Sequence, residues 1–227
     1  MYEVEKWKHV FKLDPNKEIS DEHLELLCES KSDAIIIGGT DNIELENVLD
    51  LMQRVRRFAI PCVLEISTIE SISPGFDLYF IPTVLNSKNA KWINGFHFEA
   101  LKEYGDFMNW DEIYVEGYCI LNKDCKAAIV TEAITDLEEE DILTYATMSE
   151  KMFKLPIFYL ENSGAFANMD MLKNVKKSAP QSIVFYGGGI VDLNTAKQAS
   201  EIADCIVVGN IIYENIKKAL ETVNAVK

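Results

Sequence analysis

The 227-residue sequence lacks the short motifs that mark several large enzyme classes. It contains no Walker loop, no nucleophile elbow and no GxGxxG dinucleotide fingerprint. The glycine run 187–189 comes late in the chain and without that spacing, which disfavours NAD binding. Metal-ligand spacing is also missing among the three histidines, each of which we interpret as a surface or packing residue: His9, His23 and His97. Motifs of these kinds therefore leave the reaction class open.

Paired cysteines and long hydrophobic runs are also missing. The five cysteines form no CxxC pair, and three of them lie in apolar runs typical of small buried side chains: Cys62, Cys119 and Cys205. No apolar run reaches the ~18 residues that a membrane-spanning helix needs. The first segment, 2–12, is rich in charge and does not resemble a secretory signal. We therefore expect a soluble, cytoplasmic protein without a transmembrane segment.

Positive charge is scarce. The chain has 22 lysines and arginines against 37 aspartates and glutamates, which gives a net charge of −15. A general affinity for nucleic acid or for acidic membranes needs a basic face, so we expect no nucleic-acid partner. An anionic substrate would have to be held locally, by backbone amides, a lysine or a metal ion.

The sequence does contain a regular alternation of short apolar runs with helical patterns. Its length is close to the ~250 residues typical of one (β/α)8 barrel, and no linker, repeat or low-complexity segment interrupts it. The pattern predicts a single α/β domain over residues 1–227. Eight strands are predicted, at 10–13, 34–37, 63–67, 78–82, 113–119, 157–160, 182–186 and 205–208.

Helical spacing predicts the helices between these strands, with one exception. Seven helices are predicted, at 21–30, 45–58, 88–104, 138–153, 169–178, 195–203 and 211–223. In the second of these, Leu45 is expected to face inward with Val48, Leu49, Met52 and Val55. The connection 68–77 holds Pro74 and Gly75 and is too short for a crossover helix, so a loop or extended segment is predicted to replace the third helix. The stretch 126–136 is ambiguous, and 127–130 is a candidate extra strand near the rim.

Glycines end the last two predicted strands. Gly187 to Gly189 follow the seventh, and Gly209 follows the eighth. Helices are expected to begin just afterwards, capped by Asp192 or Asn194 and by Asn210. Glycines at such points serve as turns, but exposed amides beside a helix N-terminus also bind anions. Two sites on the last two strands are typical of the phosphate site of a (β/α)8 barrel.

Polar residues occur at other strand ends, where barrel enzymes place their reactive groups. Lys12 and Asp14 are two residues apart and share a face; they suit a phosphate and Mg²⁺, or form a rim salt bridge with each other. Thr40 is a second oxygen ligand or a helix cap. Tyr159 and Glu161 also share a face, and Glu161 is either reactive or a structural carboxylate bonded to loop amides.

Five motifs together resemble the geranylgeranylglyceryl phosphate synthase family, most closely its bacterial PcrB branch, the heptaprenylglyceryl phosphate synthases. They are Lys12-Leu13-Asp14-Pro15, Gly38-Gly39-Thr40, Tyr159-Leu160-Glu161-Asn162-Ser163-Gly164, Tyr186-Gly187-Gly188-Gly189-Ile190 and Val208-Gly209-Asn210. The resemblance covers essentially the whole chain. It implies a modified TIM barrel that lacks one helix, a homodimer, and Mg²⁺-dependent transfer of a long prenyl group from a prenyl diphosphate to the 3-hydroxyl of sn-glycerol 1-phosphate, giving an ether lipid precursor.

The resemblance also implies roles for individual residues. Lys12 would contact glycerol phosphate, and Asp14 with Thr40 would hold Mg²⁺. The segment 159–164 would line the glycerol site, with Glu161 and Tyr159 as the catalytic residues; Asn162 has no assigned chemical role. The remaining substrate-binding positions implied are Leu160, Ser163, Gly164, Gly189, Gly209 and Asn210.

A prenyl tail would need an apolar groove. A substrate of this kind would also allow the protein to contact a membrane transiently. Trp92, Phe96, Ala100 and Tyr104 are spaced by four and are expected to line this groove. Ala100 is either a gap for a long tail, such as heptaprenyl (C35), or a close helix contact.

Two other functions share the barrel and its phosphate site. One is an isomerase or aldolase acting on a small sugar phosphate, which needs no apolar groove. The other is a non-catalytic phosphate-binding barrel, which the polar side chains at three strand ends disfavour.

Overall fold

Eight parallel strands close into a barrel in the computed structural model, which describes residues 2–226. Each strand pairs with the next along the chain, and the eighth pairs with the first. The strands are β1 His9–Leu13, β2 Ala34–Ile37, β3 Cys62–Glu65, β4 Leu78–Val84, β5 Ile113–Ile120, β6 Ile157–Glu161, β7 Ile183–Gly187 and β8 Cys205–Val208. All eight predicted strands are confirmed, with boundaries that move by up to two residues.

Helices surround the barrel. They are α1 Asp21–Cys28, α2 Leu45–Val55, α3 Gly95–Tyr104, α4 Lys126–Thr131, α5 Glu139–Thr147, α6 Met169–Ser178, α7 Leu193–Ser200, α8 Ile211–Glu214 and α9 Ile216–Thr222. A π-helix, Met148–Phe153, extends α5, so the predicted helix 138–153 is present in two forms. The chain buries one apolar cluster between strands and helices and a second inside the barrel, because successive side chains of a strand face opposite sides.

No α-helix connects β3 to β4 in the described chain. The connection contains one 3-10 turn, Ile69–Ser71, and is otherwise irregular. The fold is therefore the predicted modified TIM barrel, with a loop in place of the third crossover helix. This open side of the barrel lies next to the apolar part of the site described below.

Two predicted helices are interrupted. The stretch 88–104 consists of a 3-10 turn, Ala90–Trp92, followed by α3, because Asn94 has a non-helical backbone (φ −149°). The stretch 211–223 divides at Asn215 (φ −156°), whose side chain accepts a hydrogen bond from Lys218 N and so caps α9. In both cases an asparagine ends one helical turn and precedes the next, which helical periodicity alone does not reveal.

Three local predictions are wrong. The stretch 127–130 is not a strand but part of α4, whose first turn is capped by Cys125. Leu45, predicted to face inward, is the first residue of α2 and is 41% exposed. Asn210 makes no capping hydrogen bond, because its own backbone is already helical (φ −52°, ψ −39°). Asp192 does cap α7, with its Oδ1 2.9 Å from Thr195 N.

The histidines and cysteines pack as expected. His9 is fully buried and its ring nitrogens bond to Ser32 and Thr222, which ties β1 to α9. Cys62, Cys119 and Cys205 are buried, and all five thiols are free. Across residues 2–226, none of the helices is both long and apolar enough to cross a bilayer.

Candidate active site

A large cavity opens at the carboxyl ends of the strands. Its volume is about 1080 Å³. One part is polar and is lined by the ends of β6, β7, β8 and β1; the other is apolar and is lined by β4, α3 and the loop after β3. A continuous space with these two parts suits a ligand that is charged at one end and hydrophobic along the rest.

Lys12 lies at the centre of a buried polar network. Its Nζ donates to Glu65 Oε1 at 2.5 Å and to the hydroxyl of Tyr118 at 3.2 Å. The same ammonium lies 5.7 Å and 5.6 Å from the ring centres of Tyr118 and Tyr159, within the range of cation–π attraction. Lys12 therefore pairs with Glu65 on β3, and the alternative of a rim salt bridge with Asp14 is wrong.

Glu161 is held from two sides. Its Oε1 accepts a hydrogen bond from Ser163 N at 2.7 Å, and its Oε2 accepts one from the Tyr118 hydroxyl at 3.0 Å. Burial raises the pKa of this carboxyl above its usual value, although the nearby Lys12 ammonium opposes the shift. The bond to Ser163 N is the structural contact expected of a loop-bonded carboxylate, but Glu161 also lines the cavity and is available to a ligand.

This network contains one basic side chain, Lys12, and three acidic ones, Glu65, Glu116 and Glu161. Burial, together with the carboxylate of Glu65, raises the pKa of Glu116 well above its usual range. Burial lowers the pKa of Lys12, but the carboxylates of Glu65 and Glu161 outweigh it, and the net shift is upward. The net effect favours the charged form of Lys12 and the neutral form of Glu116, which is fully buried.

Tyr159 is fixed by packing. Its ring stacks on that of Tyr118 with centroids 4.4 Å apart, and its hydroxyl lies where a side chain on Gly187 would begin. A larger residue at 187 would displace Tyr159 from the cavity wall. Glycine at position 187 therefore leaves the space that the Tyr159 hydroxyl occupies.

The other glycines divide into two kinds. Gly188 (φ +138°) and Gly189 (φ +61°) have left-handed backbones, and a Cβ at either would collide with the backbone of the loop after β6. Gly209, by contrast, would meet only Lys12 O, at 3.6 Å. Both Gly189 and Gly209 line the cavity. The requirement for glycine at 189 therefore comes from loop packing, whereas Gly209 faces open space.

Asparagines connect the loops around the polar end. Asn210 Nδ2 donates to Ser163 Oγ at 3.2 Å, and Asn122 Nδ2 donates to Ser163 O at 2.6 Å. Ser163 is therefore held between β5 and β8, beside Gly164. These contacts keep the segment after β6 in place against the glycine loops.

Two residues predicted for the glycerol site do not line the cavity within the described chain. Leu160 is fully buried and points toward the helix layer, because it alternates with Tyr159 and Glu161 along β6. Asn162 uses its backbone instead: its N–H donates to Gly187 O at 2.7 Å. The remaining predicted members of the polar end do line it: Lys12, Tyr159, Glu161, Ser163, Gly164, Gly189, Gly209 and Asn210.

Asp14 and Thr40 both line the cavity. Asp14 Oδ1 accepts from Asn16 N at 3.0 Å and lies 2.6 Å from where a Cβ of Gly39 would be, so only glycine admits it there. Thr40 is not a helix cap, since the residue before α2 is Glu44. Over residues 2–226, His, Cys, Asp and Glu side chains form no group of three able to hold a metal ion. One carboxylate and one hydroxyl fit Mg²⁺, which takes its other ligands from water and substrate phosphates.

The apolar wall contains three of the four predicted groove residues. Trp92, Phe96 and Ala100 line the cavity, and the rings of Trp92 and Phe96 meet edge to face at 5.0 Å. Tyr104 is not among the described lining residues, because it ends α3 one turn beyond Ala100. Trp92 belongs to the preceding 3-10 turn, so the four residues do not form one helical stripe.

Several residues of the site were not assigned a role from the sequence. Tyr118 follows Glu116 with the spacing that keeps it inside the barrel, and this alternation could have identified it. Glu65, as the partner of Lys12, is 53 residues away and gives no local signal. Tyr213, whose hydroxyl accepts from Asp14 N at 2.9 Å, is 199 residues away.

Comparison with known proteins agrees with this geometry. The family model described as "PcrB family" matches residues 2–227. The chain is 60% identical to a heptaprenylglyceryl phosphate synthase of Geobacillus sp. (strain WCH70), over 100% of both chains, and 57% identical to one of Bacillus cytotoxicus, over 100% of this chain and 99% of the other.

A solved structure shares the fold. It is the (S)-3-O-geranylgeranylglyceryl phosphate synthase of Thermoplasma acidophilum in complex with sn-glycerol-1-phosphate, with a TM-score of 0.85, 23% identity, and coverage of 97% of this chain and 93% of that one. At that identity it supports the barrel architecture alone. The full-length family match and the curated relatives show more: this chain belongs to the PcrB family.

Proposed function

We propose that the protein is a heptaprenylglyceryl phosphate synthase. It transfers a heptaprenyl group from its diphosphate to the 3-hydroxyl of sn-glycerol 1-phosphate, releasing diphosphate. The observation that carries this proposal is the two-part cavity, in which a glycine-lined polar end continues into an apolar wall. Relatives that are 57–60% identical over the full chain carry that name.

The phosphate of glycerol 1-phosphate is assigned to the loops after β7 and β8. Gly189, Gly209 and Asn210 line the cavity there, at the place where barrels bind phosphate. Lys12, which lines the same cavity, supplies positive charge to it. It donates two of its three N–H groups to Glu65 and Tyr118, which leaves one for the substrate.

Glu161 is assigned to the glycerol hydroxyls. A buried carboxyl with a raised pKa is a better base than an exposed one, and Tyr118 and Ser163 N orient it. In the reaction, the allylic C–O bond of the donor breaks and its electron pair leaves with the diphosphate. The 3-hydroxyl oxygen forms the new bond to that carbon, and Glu161 orients the hydroxyl or accepts its proton. Tyr159 closes the wall beside it and restricts access by water.

Asp14 and Thr40 are assigned to Mg²⁺. An ion held by these two residues would supply positive charge that stabilises the departing diphosphate. Both side chains line the cavity, and they follow β1 and β2, which stand between β8 and β3 in the closed barrel. Holding the two substrates in line contributes much of the rate enhancement, because it converts an encounter of two molecules into a local event.

We also propose that the protein is a cytoplasmic homodimer that contacts membranes transiently. The five free thiols suit a reducing compartment. Leu101 and Trp110 line the cavity and are 43% and 61% exposed, so the tail end of the cavity opens onto an apolar rim. Size-exclusion chromatography with light scattering tests for a dimer. Flotation with vesicles of zwitterionic lipid tests for membrane contact.

The rival functions make different demands on the cavity. An isomerase or aldolase acting on a small sugar phosphate has no use for Trp92, Phe96 and Ala100 along the wall. A non-catalytic barrel has no use for a buried carboxyl held beside a lysine. These features favour the transferase over both rivals.

The decisive experiment is incubation of the protein with labelled glycerol 1-phosphate and prenyl diphosphates of several lengths. We expect a prenylglyceryl phosphate product, formed only with Mg²⁺ and fastest with the C35 donor. Conversion of sugar phosphates without a prenyl donor would support an isomerase or aldolase instead. Absence of any turnover, with phosphate binding retained, would support the non-catalytic alternative.

A further inference from the structure

The turn after β1 brings Lys17 to the polar end of the cavity. The Lys17 N–H donates to Asp14 O at 2.9 Å, which closes the turn, and the side chain lines the cavity. Its Nζ donates to Asn210 Oδ1 at 3.2 Å and lies 4.8 Å from the ring centre of Tyr213. A hydrogen bond and a cation–π contact therefore hold this ammonium beside the loop after β8.

The bond from Lys17 also fixes the orientation of the Asn210 amide. An ammonium group only donates hydrogen bonds, so the amide oxygen must face Lys17 and the amide nitrogen faces away from it. That nitrogen donates to Ser163 Oγ at 3.2 Å. Because all three residues line the cavity, a chain of hydrogen bonds runs across its polar end, from the turn after β1 to the segment after β6.

The charge of Lys17 is not balanced by a carboxylate. Two of the lysines that line the cavity have an acidic partner: Lys12 with Glu65, and Lys126 with Asp41. Two others, Lys17 and Lys91, form no ion pair within residues 2–226. Lys91 lies against the ring of Phe96 on the apolar wall. Lys17 is therefore the unbalanced cation at the polar end of the cavity, over this part of the chain.

A phosphate group at this end needs such a charge. A phosphate monoester carries about −1.5 to −2 charges at pH 7. Lys12 brings one positive charge to the cavity, but its ammonium is already paired with Glu65. Backbone amides of the loops that contain Gly189 and Gly209 would supply hydrogen bonds but no net charge. A second cation beside Asn210 offsets the charge of the ligand, and its hydrogen bonds to a phosphate are about twice as strong as those of a neutral donor.

We propose that Lys17 binds the phosphate of sn-glycerol 1-phosphate, together with the loops after β7 and β8. This inference rests on the proposed function and adds a second cation to the glycerol phosphate site. Two N–H groups of Lys17 remain after the bond to Asn210, and both can donate to phosphate oxygens. The Tyr213 ring holds the ammonium in place before the substrate arrives, so ordering this side chain costs little on binding.

Titration of sn-glycerol 1-phosphate into the whole protein by calorimetry tests this proposal. Lys17→Met removes the charge, and we expect about tenfold weaker binding, since a hydrogen bond to a charged group has this order of effect. Lys17→Gln keeps an N–H donor for Asn210 without the charge and should bind as weakly as Lys17→Met. Lys17→Arg keeps the charge and should bind within about threefold of the parent.

Lys123→Met is the matched control. It removes one positive charge from the loop after β5, at the same end of the barrel, but Lys123 is exposed and is not among the described residues that line the cavity. We expect this variant to bind sn-glycerol 1-phosphate within about twofold of the parent. A loss equal to that of Lys17→Met would show that the overall charge of the protein sets the affinity, and the proposal would be wrong.

Steady-state kinetics give a second readout. Lys17→Met should raise KM for glycerol 1-phosphate about tenfold and leave kcat within about twofold, because the phosphate is at the other end of glycerol from the reacting 3-hydroxyl. Parental affinity in folded Lys17→Met or Lys17→Gln, or a rise in KM confined to the prenyl diphosphate, would overturn the proposal. If the parent binds sn-glycerol 1-phosphate but forms no prenylated product, the proposed function fails, whereas the binding comparison still decides the role of Lys17.

Discussion

Gly209→Ala is the cleanest probe of the phosphate site. A Cβ at this position meets only Lys12 O, at the ordinary contact distance of 3.6 Å, so the fold should accept it. The methyl group would nevertheless project into the cavity that Gly209 lines. We expect it to hold the glycerol phosphate away from the backbone and to remove one charge-assisted hydrogen bond, which contributes about 2 kcal/mol.

That loss corresponds to a KM for glycerol 1-phosphate about thirtyfold higher than that of the parent. KM for the prenyl diphosphate should stay within about twofold, because that substrate is assigned to the other half of the cavity. The free energy of unfolding should change by less than about 0.5 kcal/mol, as for other substitutions that disturb no contact. Initial rates with each substrate varied in turn, together with urea unfolding, measure all three quantities.

Gly189→Ala provides the contrast. Its backbone is left-handed (φ +61°), and a Cβ would lie 2.6 Å from Ala165 O. We expect this variant to lose about 1–3 kcal/mol of stability and to impair both substrates, because the loop after β6 must move. If Gly209→Ala leaves KM for glycerol 1-phosphate unchanged while remaining folded, the phosphate does not bind at Gly209 and the assignment is refuted.

Three other predictions follow from the same structure. Asp14→Ala should abolish Mg²⁺-dependent turnover and leave the melting temperature unchanged; an unaltered Mg²⁺ titration would remove Asp14 from the metal site. Ala100→Trp should retain activity with geranylgeranyl diphosphate and lose most of it with heptaprenyl diphosphate, and a parental length preference would show that Ala100 only packs. Burial lowers the pKa of His9 to about 4. Its contribution to stability is therefore complete above the unfolded value of about 6.5 and is lost as pH falls toward 4, by about 2 kcal/mol at pH 5. Urea unfolding of the parent and His9→Gln at pH 7.5 and 5 measures this difference, and equal pH dependence in both would contradict it.

The order of the barrel could be predicted from the chain because its signals are local. A strand buried on both faces needs a short apolar run, and a crossover helix needs about ten residues of helical spacing. The absence of a helix after β3 could therefore be predicted, because the segment 68–77 is too short to contain one. The interruptions at Asn94 and Asn215 could not be predicted in this way. Their flanking residues keep helical spacing, and the choice between one helix and two depends on tertiary packing.

The residues of the site also differ in whether a local sequence signal reveals them. The residues at strand ends, and those that share a face, could be identified from the order of residues along each strand, because side chains alternate there: Lys12 with Asp14, and Tyr159 with Glu161. Their hydrogen-bond partners could not be identified in this way. Closing the barrel brings Glu65 to Lys12 and Tyr118 to Glu161, across separations of 53 and 43 residues, and shapes the cavity that distinguishes Gly209 from Gly189. Such contacts depend on how the strands are arranged around the closed sheet, and no short stretch of the chain encodes that arrangement.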